Sequence, residues 1–402
     1  MINPRNLCLF LALFQASAFA DLQHDTKQII RHASLNQGNA SVAIFDTETQ
    51  TFLAEIRANN SMIPASNQKL ITTGSALHIL GPSFEFSTKI IQTKNTFTIV
   101  GDGDPSFGDT ELHHKLDWQQ ERIFLDNELD EWARHIAASG VKKIDNLYVD
   151  DRIFDREFTH PSWPKDQINN WYCAQVAGIN YHLNVLHFYP FPIPDSKANL
   201  DAITPVMDWI KIENKTSSKT GKNDKSSFWI SRLQNSNTMT AHGNVKSKHT
   251  EPIKIAFHDP PIVFANLLAS RLRKMGIEVQ NIGRIPSNLE ISGNVIFEKK
   301  TPIADALKRS NTNSHNMYAE ALFKRTAAGT GHKGTFKSGG LVVNQIIKQR
   351  IGEQHAIVAA DGSGMSRENK LTAHSLALWL ASFNLQESSG SQMLNSLATP
   401  GH

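Results

Sequence analysis

Cysteine is nearly absent. The 402-residue chain holds two, Cys8 and Cys173. Cys8 lies in an apolar N-terminal stretch that reads as a removable leader, so Cys173 is left alone and no internal disulfide can form. Zinc sites built on paired cysteines are excluded with it. The 17 histidines are scattered, with no His-x-x-x-His pair on a convincing helix, and the adjacent His113 and His114 point to different faces. No metal ion or other cofactor is expected. A dominant charge sign is also missing, since 41 Lys and Arg stand against 38 Asp and Glu. Lys215, Lys219, Lys222 and Lys225 do cluster, but among Ser, Thr, Asn and Asp. That is the composition of a solvated loop, and no nucleic-acid partner is expected. Apolar runs outside the leader are short, and the leader's own run is too short for a bilayer, so no integral membrane span is expected.

What is present begins with the leader. Arg5 supplies a positive start, Leu7 to Phe14 an apolar centre, and Ala18-Phe19-Ala20 a small-residue cleavage site over residues 1–20. The rest reads as an exported protein held together by its core. Asp21–Leu35 has helical periodicity, and Ser41–Asp46 and Thr51–Ile56 read as two strands around a polar turn. Short strands are expected at Thr88–Gln92, Thr96–Val100 and Leu147–Asp150, with a strong turn at Gly101-Asp102-Gly103-Asp104-Pro105. Asn127–Ser139 and Pro260–Lys274 read as helices stopped by Gly140 and Gly276, and Glu213–Ser227 as a polar loop. Helical patterns return at Ile303–Lys308, Met317–Arg325, Leu341–Gln349 and Thr372–Phe383. The simplest partition is an α/β (α+β) core in two segments, 21–82 and 290–402. A large strand-rich insertion, 83–289, separates them.

The chemistry centres on Ser66-Asn67-Gln68-Lys69, where a serine stands at the start of an apolar helix with a lysine three residues on. Those positions share a helix face. An amine whose pKa is lowered by burial can take the hydroxyl's proton, giving a serine nucleophile with a lysine base. Alone, the spacing fits an N-capping serine and a solvated lysine better, and it recurs at Ser139…Lys142 and Ser162…Lys165. Those two contain Gly140 and Pro164, and neither opens a long apolar helix. The second stretch is Ser314-His315-Asn316, a hydroxyl and an amide two residues apart between helices, which alone is also what a capping turn looks like.

Taken together, the segments resemble the serine D-alanyl-D-alanine carboxypeptidase/endopeptidase family, the class C low-molecular-mass penicillin-binding proteins of the bacterial periplasm. The resemblance rests on five stretches in order: Pro64–Leu70, Gly101–Pro105, Tyr172-Cys173-Ala174-Gln175 leading to Asn180 and Asn184, Ser314–Glu320, and Asp361-Gly362-Ser363-Gly364-Met365-Ser366-Arg367. It implies a penicillin-binding-protein/β-lactamase-like serine transpeptidase fold. It also implies peptidoglycan stem peptides as substrates and β-lactams as inhibitors. Ser66 would be the nucleophile, Lys69 the base and Ser314 the proton relay. Asn316 would position the substrate, with Tyr172 and Asp166 as further substrate contacts. His315 departs from the Asp or Asn usual there and reads as a surface loop residue. The family's third motif, Lys-Thr/Ser-Gly on a strand after the Asp361 turn, has no counterpart in place. Lys219-Thr220-Gly221 precedes Ser314, and Lys337-Ser338-Gly339 opens a helical run. The resemblance therefore implies a chain that stops before the motif, with the catalytic sheet incomplete. It leaves an inactive remnant that only binds peptidoglycan as the alternative. A β-lactamase-like hydrolase is disfavoured by the size of the insertion.

Overall fold

The computed structural model describes residues 22–33, 40–112, 116–355 and 357–399. The leader over residues 1–20 lies outside them. A helix over residues 22–32 (α1) precedes the hairpin β1 (Val42–Asp46) and β2 (Thr51–Ile56). Helix α2 (Gln68–Leu80) then runs through the middle of one hydrophobic core. Every residue from Ile71 to Leu77 is buried, the polar Thr72, Thr73 and Ser75 included, so this stretch has no solvent face. Gly74 is required there, because a Cβ would approach the rings of Phe383 and Trp379 to 2.7 Å.

The chain next builds β3 (Glu85–Thr93), β4 (Thr96–Val100), helix α3 (Trp118–Ala137) and β5 (Lys143–Asp150). Strands β6 (Val185–Phe188), β7 (Ile203–Thr204), β8 (Ile212–Ser217), β9 (Trp229–Arg232), β10 (Met239–Asn244) and β11 (Ile253–Ala256) follow. Helix α4 (Pro260–Lys274), β12 (Glu278–Arg284) and β13 (Asn294–Pro302) close this region. The main sheet has the order β12-β5-β4-β3-β13, with β4, β5 and β12 parallel and β3 antiparallel to both of its neighbours. Two three-stranded sheets, β8-β10-β9 and β11-β6-β7, complete the strand-rich part. The edge strand β13 carries this part past residue 289 to Pro302.

Some boundaries differ from expectation, for physical reasons. Helix α3 begins at Trp118 instead of near residue 127, because Asp117 and Gln120 form a reciprocal capping box that starts it a full two turns earlier. The stretch 213–227 is not all loop, since its first residues form β8. Polar side chains did not prevent pairing there, because β8 lies parallel to β10 with only alternate side chains buried. Helix α4 matches its expected span. Asp259 caps it, Pro260 sits where a missing N–H costs nothing, and Gly276 at φ +79° ends it.

The second segment is helical: α5 (Ile303–Thr312), α6 (Asn316–Gly329), α7 (Phe336–Ile351), α8 (Ala373–Ala381) and α9 (Ser388–Asn395). Its apolar faces share a core with α2. Among the described residues, β1 and β2 form a two-stranded sheet, with α8 packed against β1.

A second core lies within the insertion. There Trp132 of α3 is fully buried, with its ring against Phe107, Phe264 and Phe297 at centroid distances of 5.0, 5.6 and 4.9 Å. Trp132→Ala is expected to cost about 3–5 kcal/mol, read as a lowered denaturant midpoint at unchanged slope.

Candidate active site

Ser66 lies on a short 3-10 turn, Ala65–Asn67, that runs directly into α2. The turn is tight. Ala65 adopts a left-handed φ of +47°, and the Asp361–Ser366 loop presses on it so closely that a Cβ on Gly364 would collide with the Ala65 carbonyl. Gly364 itself has φ +85°, so glycine answers both the space and the backbone angle. Ser314, in the three-residue link between α5 and α6, is also left-handed at φ +56°. Ala65 and Ser314 both stand beside the proposed chemistry, where stored strain tends to collect. The Ser66 and Ser314 side chains face solvent.

Lys69 is one turn along α2 and only 2% exposed. Its Nζ lies 3.2 Å from Ser66 Oγ, 2.8 Å from Asn316 Oδ1 and 2.9 Å from the Ser363 carbonyl. An ammonium group has three protons to donate and fills all three positions. A neutral amine has two. The Asn316 and Ser363 oxygens can only accept, so they hold those two, and the lone pair is left pointing at the Ser66 hydroxyl. Burial pushes Lys69 down to about 8, against the opposing pull of Glu320 and Asp361. At about 1.4 kcal/mol per pKa unit, the site disfavours the charged form by about 3 kcal/mol net.

The surrounding groups fix those acceptors. The Asn316 amide is oriented at both ends, since its Nδ2 donates to the Tyr172 carbonyl at 2.8 Å. Glu320, fully buried on α6, accepts the N–H groups of Gly362 and Ser363 at 2.8 and 2.9 Å and so aims the Ser363 carbonyl at the lysine. Burial and the nearby Asp361 push Glu320 up to about 8. Asp361 accepts from Trp163 Nε1, Asn369 Nδ2 and the Gly364 and Ser366 N–H groups, which locks the loop. Thr72 donates to the Gly362 carbonyl at 2.7 Å, stitching α2 to the same loop.

The structure thus brings Ser66, Lys69, Asn316 and Tyr172 together. Tyr172 contributes its carbonyl, while its hydroxyl accepts from Asn170. Ser314 stands two residues ahead of Asn316. Asp166 is exposed, with its charge acting on Cys173 beside Tyr172. Sequence reasoning assigned no role to the Ser363 carbonyl or to Glu320. A backbone acceptor carries no side-chain signal, and Glu320 was visible only as the end of the Tyr318-Ala319-Glu320 stretch. His315 is corrected: it is 4% exposed instead of a surface residue, packed between the Trp171 and Tyr318 rings. Burial and then Arg309 push its ring down to about 4. Lys337-Ser338-Gly339 forms the first turn of α7, capped by Thr335, and Lys219-Thr220-Gly221 lies in an exposed turn after β8.

The sequence profile of the D-Ala-D-Ala carboxypeptidase 3 (S13) family matches residues 22–402. The chain belongs to this family. It is 24% identical over 390 residues to a D-alanyl-D-alanine carboxypeptidase of Actinomadura sp. (strain R39), covering 90% of this chain and 68% of the relative. It is 23% identical over 334 residues to D-alanyl-D-alanine carboxypeptidase DacB of Haemophilus influenzae, covering 79% of this chain and 65% of that one. Penicillin binding protein 4 (dacB) from Haemophilus influenzae has a similar fold, with a TM-score of 0.71 at 20% identity over 90% of this chain and 79% of that structure. The same protein complexed with a β-lactam gives 0.63 at 20% identity, over 88% and 76%. The expected fold family and its strand-rich region are therefore present. No helix among the described residues is long and apolar enough to cross a membrane.

The lysine geometry makes a pH prediction. Only the neutral amine accepts a proton, so acylation by a β-lactam is expected to rise about tenfold per pH unit below an apparent pKa near 8 and to level off above it. Stopped-flow acylation rates between about pH 6 and 9 provide the check, and a flat profile would remove Lys69 as the base.

Proposed function

We propose that this chain is a serine-type D-Ala-D-Ala carboxypeptidase/endopeptidase acting on peptidoglycan stem peptides. The observation that carries this reading is the buried Lys69 amine, whose two fixed acceptors leave its lone pair facing Ser66 Oγ. Ser66 attacks the carbonyl between two D-alanines as Lys69 takes the hydroxyl proton. The tetrahedral adduct collapses, the C–N bond breaks, and Ser314 relays a proton to the departing amine. Water then cleaves the acyl ester and restores Ser66. A β-lactam enters by the same attack, but its ring-opened amine stays tethered.

Asn316 positions the substrate from its place between the base and the Tyr172 carbonyl. Tyr172 lines the pocket, and Asp166 pairs with a cationic stem-peptide side chain. A remnant that only binds peptidoglycan would have no use for a lysine held against its charged form by about 3 kcal/mol and aimed at a serine. The leader read in residues 1–20 supports export to the periplasm.

Fluorescent penicillin tests the reading on the full chain. Wild-type protein is expected to be labelled, Ser66→Ala to lose the label, and Lys69→Ala to label about 10²–10⁴-fold more slowly. Folded wild-type protein without label, or equal labelling of Ser66→Ala, would overturn the assignment.

A further inference from the structure

A second constellation lies in the insertion, apart from the serine site. Glu121 on α3, His182 in the turn before β6 and His187 on β6 place three ligand atoms within 4.8 Å of one another. All three side chains are buried. Sequence spacing gave no sign of the group, because its members come from a helix, a turn and a strand.

Hydrogen bonds within the group leave His187 without a partner at either nitrogen. His182 Nδ1 lies 2.9 Å from the Val185 carbonyl, which only accepts, so that nitrogen carries the ring proton. The neutral ring then turns the lone pair of Nε2 toward Glu121 Oε1 at 3.1 Å, another atom that only accepts. His187 Nδ1 lies 2.6 Å from the same oxygen at an angle that makes no hydrogen bond, and neither nitrogen of this buried ring has a hydrogen-bond partner. Three lone pairs therefore converge on one small volume. Charging His182 alone would satisfy its contact with Glu121 but leave both His187 nitrogens unpartnered, and charging both rings would bury two cations against one carboxylate, which the low-dielectric interior opposes.

The outer atoms of the group are already tied down. Glu121 Oε2 accepts from the Tyr189 hydroxyl at 2.8 Å and from Thr204 Oγ1 at 2.7 Å, and Thr110 Oγ1 donates to Oε1 at 2.9 Å. A histidine whose far nitrogen donates to a backbone carbonyl, beside a carboxylate oriented by hydroxyl donors, has the outer arrangement of a metal ligand set. We propose that Glu121, His182 and His187 bind one divalent transition-metal ion, zinc by the chemistry of two imidazoles and one carboxylate. A cavity of about 360 Å³ adjoins the group, lined by Glu121, His187 and Tyr189 together with the exposed Glu111 and Glu251. Lys254 lines it too, paired with Glu111, and the cavity gives the ion a route from solvent and a fourth position open to water.

The ion's role is structural. His182, Leu183 and Asn184 are three consecutive left-handed residues, at φ +50°, +56° and +56°. Such a run is unfavourable at each residue and needs an external hold. A metal bond to His182 supplies it. Asn184, at the end of the same turn, reaches Met317 Sδ at 3.2 Å, next to Asn316. The ion thus braces the floor beneath the serine site without touching substrate.

The test uses the full chain, stripped with a chelator and returned to zinc. Elemental analysis is expected to find about one zinc per chain after gel filtration. The thermal midpoint is expected to rise by about 5 °C over the stripped protein. Cobalt in place of zinc is expected to give visible bands from nitrogen and oxygen donors. His187→Ala and Glu121→Gln are expected to lose stoichiometric metal, while His249→Ala, outside the group, keeps it. Wild-type protein that takes up no zinc, shows no cobalt bands and melts unchanged overturns the proposal, even if the variants fail to fold. Full metal binding by soluble His187→Ala overturns it equally.

Discussion

The rest of the proposed catalytic architecture depends on keeping one amine out of water. Lys69 sits just before the stretch of α2 that has no solvent face, and its three acceptors come from three chain segments: the Ser66 turn, the start of α6 and the Asp361–Ser366 loop. Each acceptor is itself held. Tyr172 orients Asn316, Glu320 orients the Ser363 carbonyl, and Gly364 lets its loop close against Ala65. Desolvation alone would make the amine neutral but would not aim it. The acceptors aim it, because two of them cannot give up a proton and the third can.

The legible part of the site was its local part. Ser66 and Lys69 are one helical turn apart, and that relation survives translation from sequence to structure unchanged. Asn316 was legible as half of a short pattern, although its amide also grips the lysine and the Tyr172 carbonyl. The glycine turn at Asp361 was visible as a turn, but the use made of its Ser363 carbonyl was not. His315 went astray because a polar residue in a short link was read as exposed, while Trp171 from the insertion covers it. In the fold, apolar periods located α4 to α8, with a glycine stop marking the end of α4, while α9 was not anticipated. The polar strand β8 and the early start of α3 depended on sheet pairing and on a cap. The Glu121 group was invisible for the same reason as the Ser363 carbonyl: nothing local marks atoms that meet only after the sheets form.

The insertion is not simply attached to the catalytic part. Ala174, Val176, Leu183 and Val185 belong to the same core as α2 and α6, and Trp163 reaches across to Asp361. Buried ion pairs add to the seam, with Lys324 on Asp155 at 2.7 Å and Arg309 on Asp109 at 2.9 Å. Removing one partner of such a pair leaves an uncompensated buried charge, commonly about 3–5 kcal/mol. The seam is thus a constraint on relative position as much as a source of stability.

The acceptors of Lys69 lie 247 and 294 positions along the chain from it. Contacts of that sequence separation close late, after the chain between them has lost most of its freedom. The proposed nucleophile is made early in the chain and stays chemically ordinary until the last helices dock. Until then Lys69 is solvated and protonated, and Ser66 is an unactivated hydroxyl. A chain still folding would carry its proposed nucleophile in a silent form, and activity would report that the far end of the molecule had arrived.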